Sequence, residues 1–194
     1  MASTRRHLVT LAGMILLFSA CSGPYYFDLQ TEIPASREKT KIDKVLLIDR
    51  VLINETYRDY RIVCRESPFL VKYANFAYWS KSPDELIEDA VARYWRNRSV
   101  FRKVAAYEDA GEPDWTMKIR IEAVEKCLVE RKWYARLALD VEIVDSQNDA
   151  VLLSHSFDRK ADLEGKKNRL VPGKISLILN EELMKIEAEL RERR

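Results

Sequence analysis

Apolar and polar residues alternate most regularly between residues 115 and 159. In three segments, 115–123, 135–143 and 151–157, apolar side chains occupy every second position and mostly polar side chains occupy the others. A period of two predicts β-strands with one face buried and the other in water. Because the short polar turn at 145–149 joins the last two segments, we expect the three strands to form an antiparallel meander.

Two other segments show the period of an amphipathic helix. The first begins at Ser82-Pro83-Asp84-Glu85, where Ser suits the N-cap, Pro the first helical position and Glu the completion of a capping box. We expect this helix to end near Arg98. The second is a C-terminal helix whose apolar residues recur every three or four positions. They are Ile175, Leu179, Leu183, Ile186 and Leu190.

Short apolar runs elsewhere predict further strands. They cover 44–53, 60–66 and 69–79 before the first helix and 101–107 after it, and Tyr25-Tyr26-Phe27 indicates a short strand nearer the N-terminus. A meander with one buried face needs a cover, and the two helices supply it. The sequence therefore predicts an α+β fold with two layers, in which a mainly antiparallel sheet is covered on one face by two helices.

The N-terminal residues have the features of a secretory signal peptide. Arg5 and Arg6 precede the uncharged apolar stretch 8–18, which is too short to span a bilayer, and the small residues Ser19-Ala20 follow. Cys21 comes directly after them, as in the bacterial lipobox, in which the cysteine becomes the first mature residue and receives lipid. We therefore expect Cys21 to be lipidated and to incorporate palmitate.

Cleavage at this position divides the chain into three parts. They are the signal peptide at 1–20, a lipidated N-terminus and tether with a possible first short strand at 21–43, and a single α+β domain at 44–194. Ser22 rather than Asp after the cysteine favours the outer membrane, with the domain facing the periplasm. We expect no cofactor apart from the covalent lipid on Cys21.

The charge balance argues against a nucleic-acid-binding protein. The chain has 33 basic and 31 acidic residues, and loss of the signal peptide removes Arg5 and Arg6 but no acidic residue, which leaves 31 of each. A mature chain of zero formal net charge lacks the basic excess that nucleic-acid binding requires.

Residues suited to catalysis or metal binding are scarce. The mature chain has one histidine, His155, on the apolar side of its predicted strand, where a hydrogen-bonded core histidine is expected. One histidine and two separated cysteines do not have the spacing of zinc ligands, and no Gly-x-Ser-x-Gly motif is present. We therefore expect no metal site and no enzymatic activity.

Cys64 and Cys127 are the other two cysteines of the chain. An oxidising periplasm would permit a disulfide between them, and closing a loop of about 60 residues would stabilise the fold by roughly 4 kcal/mol in the chain-entropy model. Both residues also lie on the apolar side of their predicted strands, which suits two buried thiols equally well. The sequence leaves both alternatives open.

The segment 69–79 is unusually rich in aromatic residues. Such residues offer large apolar area at low entropic cost, so the segment is a candidate contact patch or lipid-facing groove. The alternative is that its aromatic residues pack beneath the first helix. The candidate residues of the patch are Phe69, Tyr73, Phe76, Tyr78 and Trp79.

The order of these features resembles the ABC-type transport auxiliary lipoproteins, a family that includes the paraquat-inducible C lipoprotein. After the lipobox come YYFDLQ at 25–30, LLIDRV at 46–51 and YRIVCRESPFLVKYANFAYWSKSP at 60–83, followed by an amphipathic helix and FRKV at 101–104. The most distinctive feature is the tryptophan followed by the Ser-Pro helix start. The resemblance extends over roughly residues 25–190.

The resemblance implies a non-enzymatic subunit of an intermembrane lipid transport system, acting in docking or tethering at the outer membrane. The implied partners are a mammalian-cell-entry (MCE) domain protein and an inner-membrane ABC permease with its ATPase. Two alternatives remain, a lipid-binding periplasmic carrier and an assembly lipoprotein for a lipopolysaccharide-export barrel. The open edges of an antiparallel sheet also invite a ring-like homo-oligomer.

Overall fold

The computed structural model of the protein describes residues 23–31, 42–107 and 111–192, so the predicted signal peptide and Cys21 lie outside the described residues. The described residues form one sheet of nine strands and two α-helices. In chain order they are β1 (Tyr25–Phe27), β2 (Ile42–Ile48), β3 (Leu52–Ile53), β4 (Arg61–Ser67), β5 (Leu70–Trp79), α1 (Pro83–Arg98), β6 (Phe101–Ala106), β7 (Trp115–Val129), β8 (Lys132–Asp145), β9 (Val151–Asp162) and α2 (Val171–Glu192).

Strands β7, β8 and β9 form the predicted antiparallel meander. β7 and β8 pair along their full lengths, and β9 continues the sheet on the far side of β8. The alternation of the sequence appears directly in the burial of β7, where Met117, Ile119 and Ile121 are buried while Lys118 and Arg120 are exposed.

The other edge of β7 pairs with three short strands that follow one another along it. β2 lies against residues 115–117, β3 against 120–121 and β4 against 125–127, and all three run parallel to β7. Beyond them, β6 pairs with β2, while β5 and then β1 extend the sheet from β4.

The prediction of a mainly antiparallel sheet is therefore wrong, because five of the eight strand pairings are parallel. The physical reason is the length of β7, whose 15 residues exceed those of each strand on this edge. The chain from β2 through β3 to β4 steps along that edge in one direction. Alternation reveals which face of a strand is buried but does not reveal the direction of its neighbour.

Both predicted helices are present and they enclose the core against the sheet. α1 packs against β2 and β6, and α2 packs against β7, β8 and β9. α1 has the predicted bounds, but Ser82 makes no side-chain capping hydrogen bond, so the predicted capping box is not formed. The five apolar residues predicted for α2 are all buried. Neither of these helices has the length and apolar character needed to cross a bilayer.

The N-terminal strand β1 belongs to the sheet and lies at its edge, parallel to the end of β5. The residues after it are also held in place. Leu29 is buried in the core, and the backbone N–H of Gln30 donates to Ser176 Oγ on α2 at 3.1 Å. The described sheet therefore begins at Tyr25, four residues after Cys21.

Candidate functional site

The five residues of the predicted contact patch do not form one surface. Phe69 is 98% exposed at the tip of the hairpin between β4 and β5, whereas Trp79, at the other end of β5, is 1% exposed and belongs to the core. Phe76 is exposed, and Tyr73 and Tyr78 are half-buried. Trp79 therefore packs in the core, as the alternative to a contact patch predicted, whereas Phe69 does not.

Tyr73 is held by the segment that precedes β4. The guanidinium of Arg61 lies 4.5 Å from the centre of the Tyr73 ring, and the Tyr73 hydroxyl donates to the carbonyl oxygen of Thr56 at 3.3 Å. Arg61 is itself paired with Asp59 at 2.6 Å. These contacts give Tyr73 a structural role in closing this part of the sheet.

Phe76 lies in a bulge of β5. The pairing of β5 with β4 shifts between Arg61 and Val63, and Phe76 has a φ of 57°, in the left-handed region that bulky residues rarely adopt. Bulges re-aim side chains, and this one leaves Phe76 63% exposed beside strand β1. A strained backbone that keeps an apolar ring in solvent is a feature of functional surfaces.

A fully buried carboxylate, Glu125, anchors the face of the sheet opposite the helices. The Tyr57 hydroxyl donates to it at 2.9 Å, Arg65 Nε at 2.8 Å and an Arg136 guanidinium nitrogen at 2.9 Å. Arg136 also donates to Asp158, and this hydrogen bond is the main cause that raises its pKa. The cluster is internally paired, so it acts as a structural clamp rather than as a source of free acid or base.

Glu182, a second buried carboxylate, lies on α2 and binds the outer strand β9. It accepts hydrogen bonds from His155 at 2.9 Å, Arg159 at 2.9 Å and Lys185 at 2.7 Å. Burial alone would raise the pKa of Glu182, but these hydrogen bonds lower it to about 2. His155 makes the predicted hydrogen bond, but it is half-buried at the rim of α2 rather than a residue of the core, so the prediction of a core histidine is wrong in that respect.

Glu187, one turn later, joins the two helices. The Tyr94 hydroxyl of α1 donates to it at 2.8 Å and Arg98 Nε at 2.7 Å, and Arg191 adds a third partner. Burial opposes ionisation, yet these partners lower the pKa of Glu187. Burial and the hydrogen bond to Glu187 raise the pKa of Tyr94.

Sequence reasoning did not find these carboxylate clusters. A signal was present in α2, because Glu182 follows Leu179 by three residues and Glu187 follows Leu183 by four, which places both carboxylates along the apolar stripe. Glu125 gave no such signal, since Arg65 and Tyr57 are 60 and 68 residues away and the 11-residue spacing to Arg136 follows no helical or strand repeat.

The two cysteines are free thiols on opposite faces of the sheet. Cys64 is the partner of Lys126 in the pairing of β4 with β7, so these two side chains share a face, and Cys127, next to Lys126 in the strand, points the other way. The alternative of a Cys64–Cys127 disulfide is therefore not realised. Burial raises the pKa of both thiols.

The space between the middle of α2 and the sheet is filled by side chains, whereas an open cleft of about 700 Å³ lies near Leu190 at the end of this helix. The filled space is lined by apolar residues such as Val91, Met117 and Leu183 and leaves no room for a water molecule. Another open cleft, of about 520 Å³, lies on the opposite face of the sheet. Its charged lining residues are Asp49, Arg50, Lys118, Arg120, Asp140 and Glu142.

This cleft carries no arrangement suited to catalysis or metal binding. Its acidic and basic side chains are mixed, and within the described ranges no three His, Cys, Asp or Glu side chains are grouped to hold a metal ion.

Solved structures share this fold. The protein XCC0632 from Xanthomonas campestris superposes with a TM-score of 0.72 at 16% identity, covering 81% of this chain and 89% of that one. An uncharacterized protein of known crystal structure gives a TM-score of 0.70 at 10% identity and covers 87% and 99% of the two chains. At such identities the likeness shows the fold alone.

Sequence comparison adds the family. No curated protein matches the chain. The family model described as the ABC-type transport auxiliary lipoprotein component matches residues 27–173, which is well over half of the chain and includes every element from β2 to the start of α2. The chain therefore belongs to the ABC-type transport auxiliary lipoprotein family.

Proposed function

We propose that this protein is a non-enzymatic docking or tethering subunit of an MCE/ABC-type intermembrane lipid transport system. Lipid on Cys21 anchors it in the outer membrane, and the folded domain faces the periplasm. Its partners are an MCE-domain protein and an ABC permease with its ATPase. The observation that carries the proposal is the match of residues 27–173 to the transport auxiliary lipoprotein family.

The physical need for such a subunit follows from the cost of exposing lipid to water. Each exposed methylene costs about 0.8 kcal/mol, so an acyl chain needs a shielded path between two membranes. A path of this kind must be held at its far end. A folded domain with up to three acyl chains on its first residue is held at the bilayer essentially permanently, because stable anchoring needs only about two chains.

The packing of the molecule supports docking over lipid carriage. A carrier needs an enclosed apolar cavity for an acyl chain, whereas the apolar space under the middle of α2 admits no water molecule and the clefts of about 520 and 700 Å³ are both open to solvent. Lipid is therefore expected to pass beside this subunit or through its partner.

We assign the partner contact to the hairpin tip at Phe69. This ring is almost completely exposed and is followed by the exposed Leu70, so the tip presents an apolar pair to solvent. Aromatic side chains that enter a partner's pocket carry a large share of binding energy in protein interfaces. The outer edge of β9, which pairs only with β8 among the described strands, offers a separate route to a ring of several chains.

Affinity purification of the lipidated protein from membranes tests the proposal. We expect an MCE-domain protein to co-purify with the wild-type protein and to be lost with Phe69→Ser. The matched control is Leu177→Ser on α2, which also removes an exposed apolar side chain and is expected to leave the capture intact.

Three outcomes would contradict the proposal. Capture that survives Phe69→Ser, or is lost equally in both variants, would mean that the tip is not the specific contact. Co-purification of an outer-membrane β-barrel in place of an MCE protein would favour assembly of a lipopolysaccharide-export barrel. Absence of palmitate incorporation, or membrane attachment that survives Cys21→Ser, would remove the anchor.

A further inference from the structure

The exposed aromatic residues around β1 lie very close to the predicted lipid anchor. Tyr25 and Tyr26 are 57% and 67% exposed, and the strand that carries them begins four residues after Cys21. Four residues of fully extended chain span at most about 14 Å. The interfacial layer on each side of a bilayer is itself roughly 5–8 Å thick, so a lipidated Cys21 keeps β1 at or just above the membrane surface.

Phe76 lies at the same edge of the sheet. Tyr25 is paired with Ala77, the residue after Phe76, and adjacent strands lie about 4.8 Å apart. The bulge at Phe76 turns its ring into solvent at this point, and Tyr26 stacks on Tyr78 with ring centres 5.6 Å apart. Tyr25 and Tyr26 point to opposite faces of β1, so together with Phe76 they place exposed rings on both sides of the sheet edge nearest the anchor.

We propose that this aromatic edge, consisting of Tyr25, Tyr26 and Phe76, rests in the headgroup layer of the bilayer that holds Cys21. The inference rests on the lipidation of Cys21 in the proposed function. The domain is then docked on the membrane by one edge of its sheet, with the opposite edge facing away from the membrane, rather than joined to it only by a flexible tether.

The chemistry of the edge suits the headgroup layer and not the hydrocarbon core. Tyrosine has an apolar ring and a polar hydroxyl, and this type of side chain is enriched where bilayers meet water. The outer edge of β1 carries backbone groups that pair with no other described strand, and such groups need water or headgroups as partners. The hairpin tip at Phe69 is seven residues from Phe76 along β5, roughly 20 Å away, and remains free for a protein partner.

Photocrosslinking of the full lipidated protein tests the aromatic edge directly. Benzoylphenylalanine replaces Tyr26, Phe76 or Phe69, one at a time, so that an aromatic ring is exchanged for another at each site. The proteins are reconstituted in vesicles of phosphatidylethanolamine and phosphatidylglycerol. We expect adducts with phospholipid at positions 26 and 76 and a several-fold lower yield at position 69, which is the most exposed of the three sites.

A linker variant separates docking by the edge from simple proximity to the anchor. A long Gly/Ser segment inserted between Ser22 and Gly23 releases the length constraint. If the aromatic edge itself binds the headgroup layer, the adducts at positions 26 and 76 persist in this variant. The adduct at position 76 is then lost when Tyr25→Ser and Tyr26→Ser are added to the linker variant.

The outcomes distinguish this inference from the proposed function. A protein that incorporates palmitate but gives equal adducts at all three sites, or gives protein–protein adducts at positions 26 and 76, overturns the docked edge and leaves the anchor intact. Loss of the adducts on linker insertion also overturns it. A protein that incorporates no palmitate overturns the anchor and the docked edge together.

Discussion

The two faces of the sheet are closed in different ways. The face under the helices is covered by apolar side chains, and its two buried carboxylates, Glu182 and Glu187, come from α2 itself. The opposite face is covered near β4, where Tyr57 folds over Glu125, and over β7 and β8 it opens into the charged cleft. One face is packed against the helices, and the other is a partly open surface stabilised by the ion cluster at Glu125.

The two faces of the sheet therefore differ in role: one stabilises the fold, and the other offers surface that a partner can contact. The helix side buries most of the core, and the space between the middle of α2 and the meander holds no ligand-sized cavity, so its main role is to hold the fold. The open side leaves charged side chains of both signs in solvent. Partners are therefore expected on the open face and at the strand ends, while the helices remain a scaffold.

The largest expected loss of stability comes from disrupting the Glu125 ion cluster on the open face. Glu125→Gln leaves Arg65 and Tyr57 without their charged acceptor in a buried site, and removing one partner of a buried ion pair costs about 3–5 kcal/mol. Urea unfolding of the mature protein measures the loss. The control is Glu122→Gln on the same strand, whose exposed carboxylate lies 4.0 Å from Arg120, and its expected cost is below about 1 kcal/mol.

If Glu122→Gln and Glu125→Gln reduced the free energy of unfolding equally, the buried ion cluster would not be what stabilises the open face. Retention of full stability by Glu125→Gln would have the same meaning. The helix side provides the second half of the test.

On the helix side we expect a loss that follows burial alone. Leu179→Ala removes a side chain that is 1% exposed and costs about 2–5 kcal/mol through lost burial and the cavity left behind. Leu177→Ala, two residues earlier on α2 and 48% exposed, should change the free energy of unfolding by less than about 0.5 kcal/mol. Equal effects in urea unfolding would show that α2 is not packed on the sheet as described.

The pH dependence of stability tests the ionic part of the helix side. The pKa of Glu182 is about 2 in the folded protein, below the ordinary value of 4.5, so its ionisation stabilises the fold fully above pH 4.5. This stabilisation is lost as the pH falls through about 2, because the unfolded chain then binds the proton more readily. We expect Glu182→Gln to reduce stability at neutral pH by roughly 1–3 kcal/mol and to flatten the acid limb.

Thermal or urea unfolding between pH 2 and pH 7 measures this limb. The control is Glu181→Gln, which removes a half-exposed carboxylate paired with Arg159 at the surface. An acid limb that is unchanged by Glu182→Gln would mean that the cluster with His155 contributes nothing to the stability of the folded state.

Periodicity predicted the helix side well because burial on an amphipathic face leaves a repeat in the sequence. The stripe of α2 and the alternation of the meander both follow from such repeats. The open face leaves no repeat. A register shift between Ile121 and Ala123 interrupts the alternation of β7 just before Glu125, so no extension of the pattern predicts which face Glu125 occupies.

The sequence predicted the candidate contact patch only from the number of aromatic residues in one segment. Aromatic density marked the segment 69–79 correctly as unusual, yet the positions of its rings depend on a hairpin tip and on the bulge at Phe76. Both depend on how β5 pairs with β4 and β1. Such pairings join residues that are distant in the sequence, and the local pattern of one sequence does not reveal them. The parallel strands along β7 escaped prediction for the same reason.

The smallest expected effect concerns the two thiols, one on each face. Because Cys64 shares its face with Lys126 and Cys127 points to the opposite side, reduction has no bridge to break, and dithiothreitol should leave the urea midpoint of the mature protein unchanged. Burial raises both thiol pKa values, so maleimide should react slowly in the folded state and rapidly in urea. Cys64, the less buried of the two, should react first, as peptide mass analysis would show. A Cys64–Cys127 disulfide in that analysis would require β4 to be turned over, and the distinction between the two faces would fail with it.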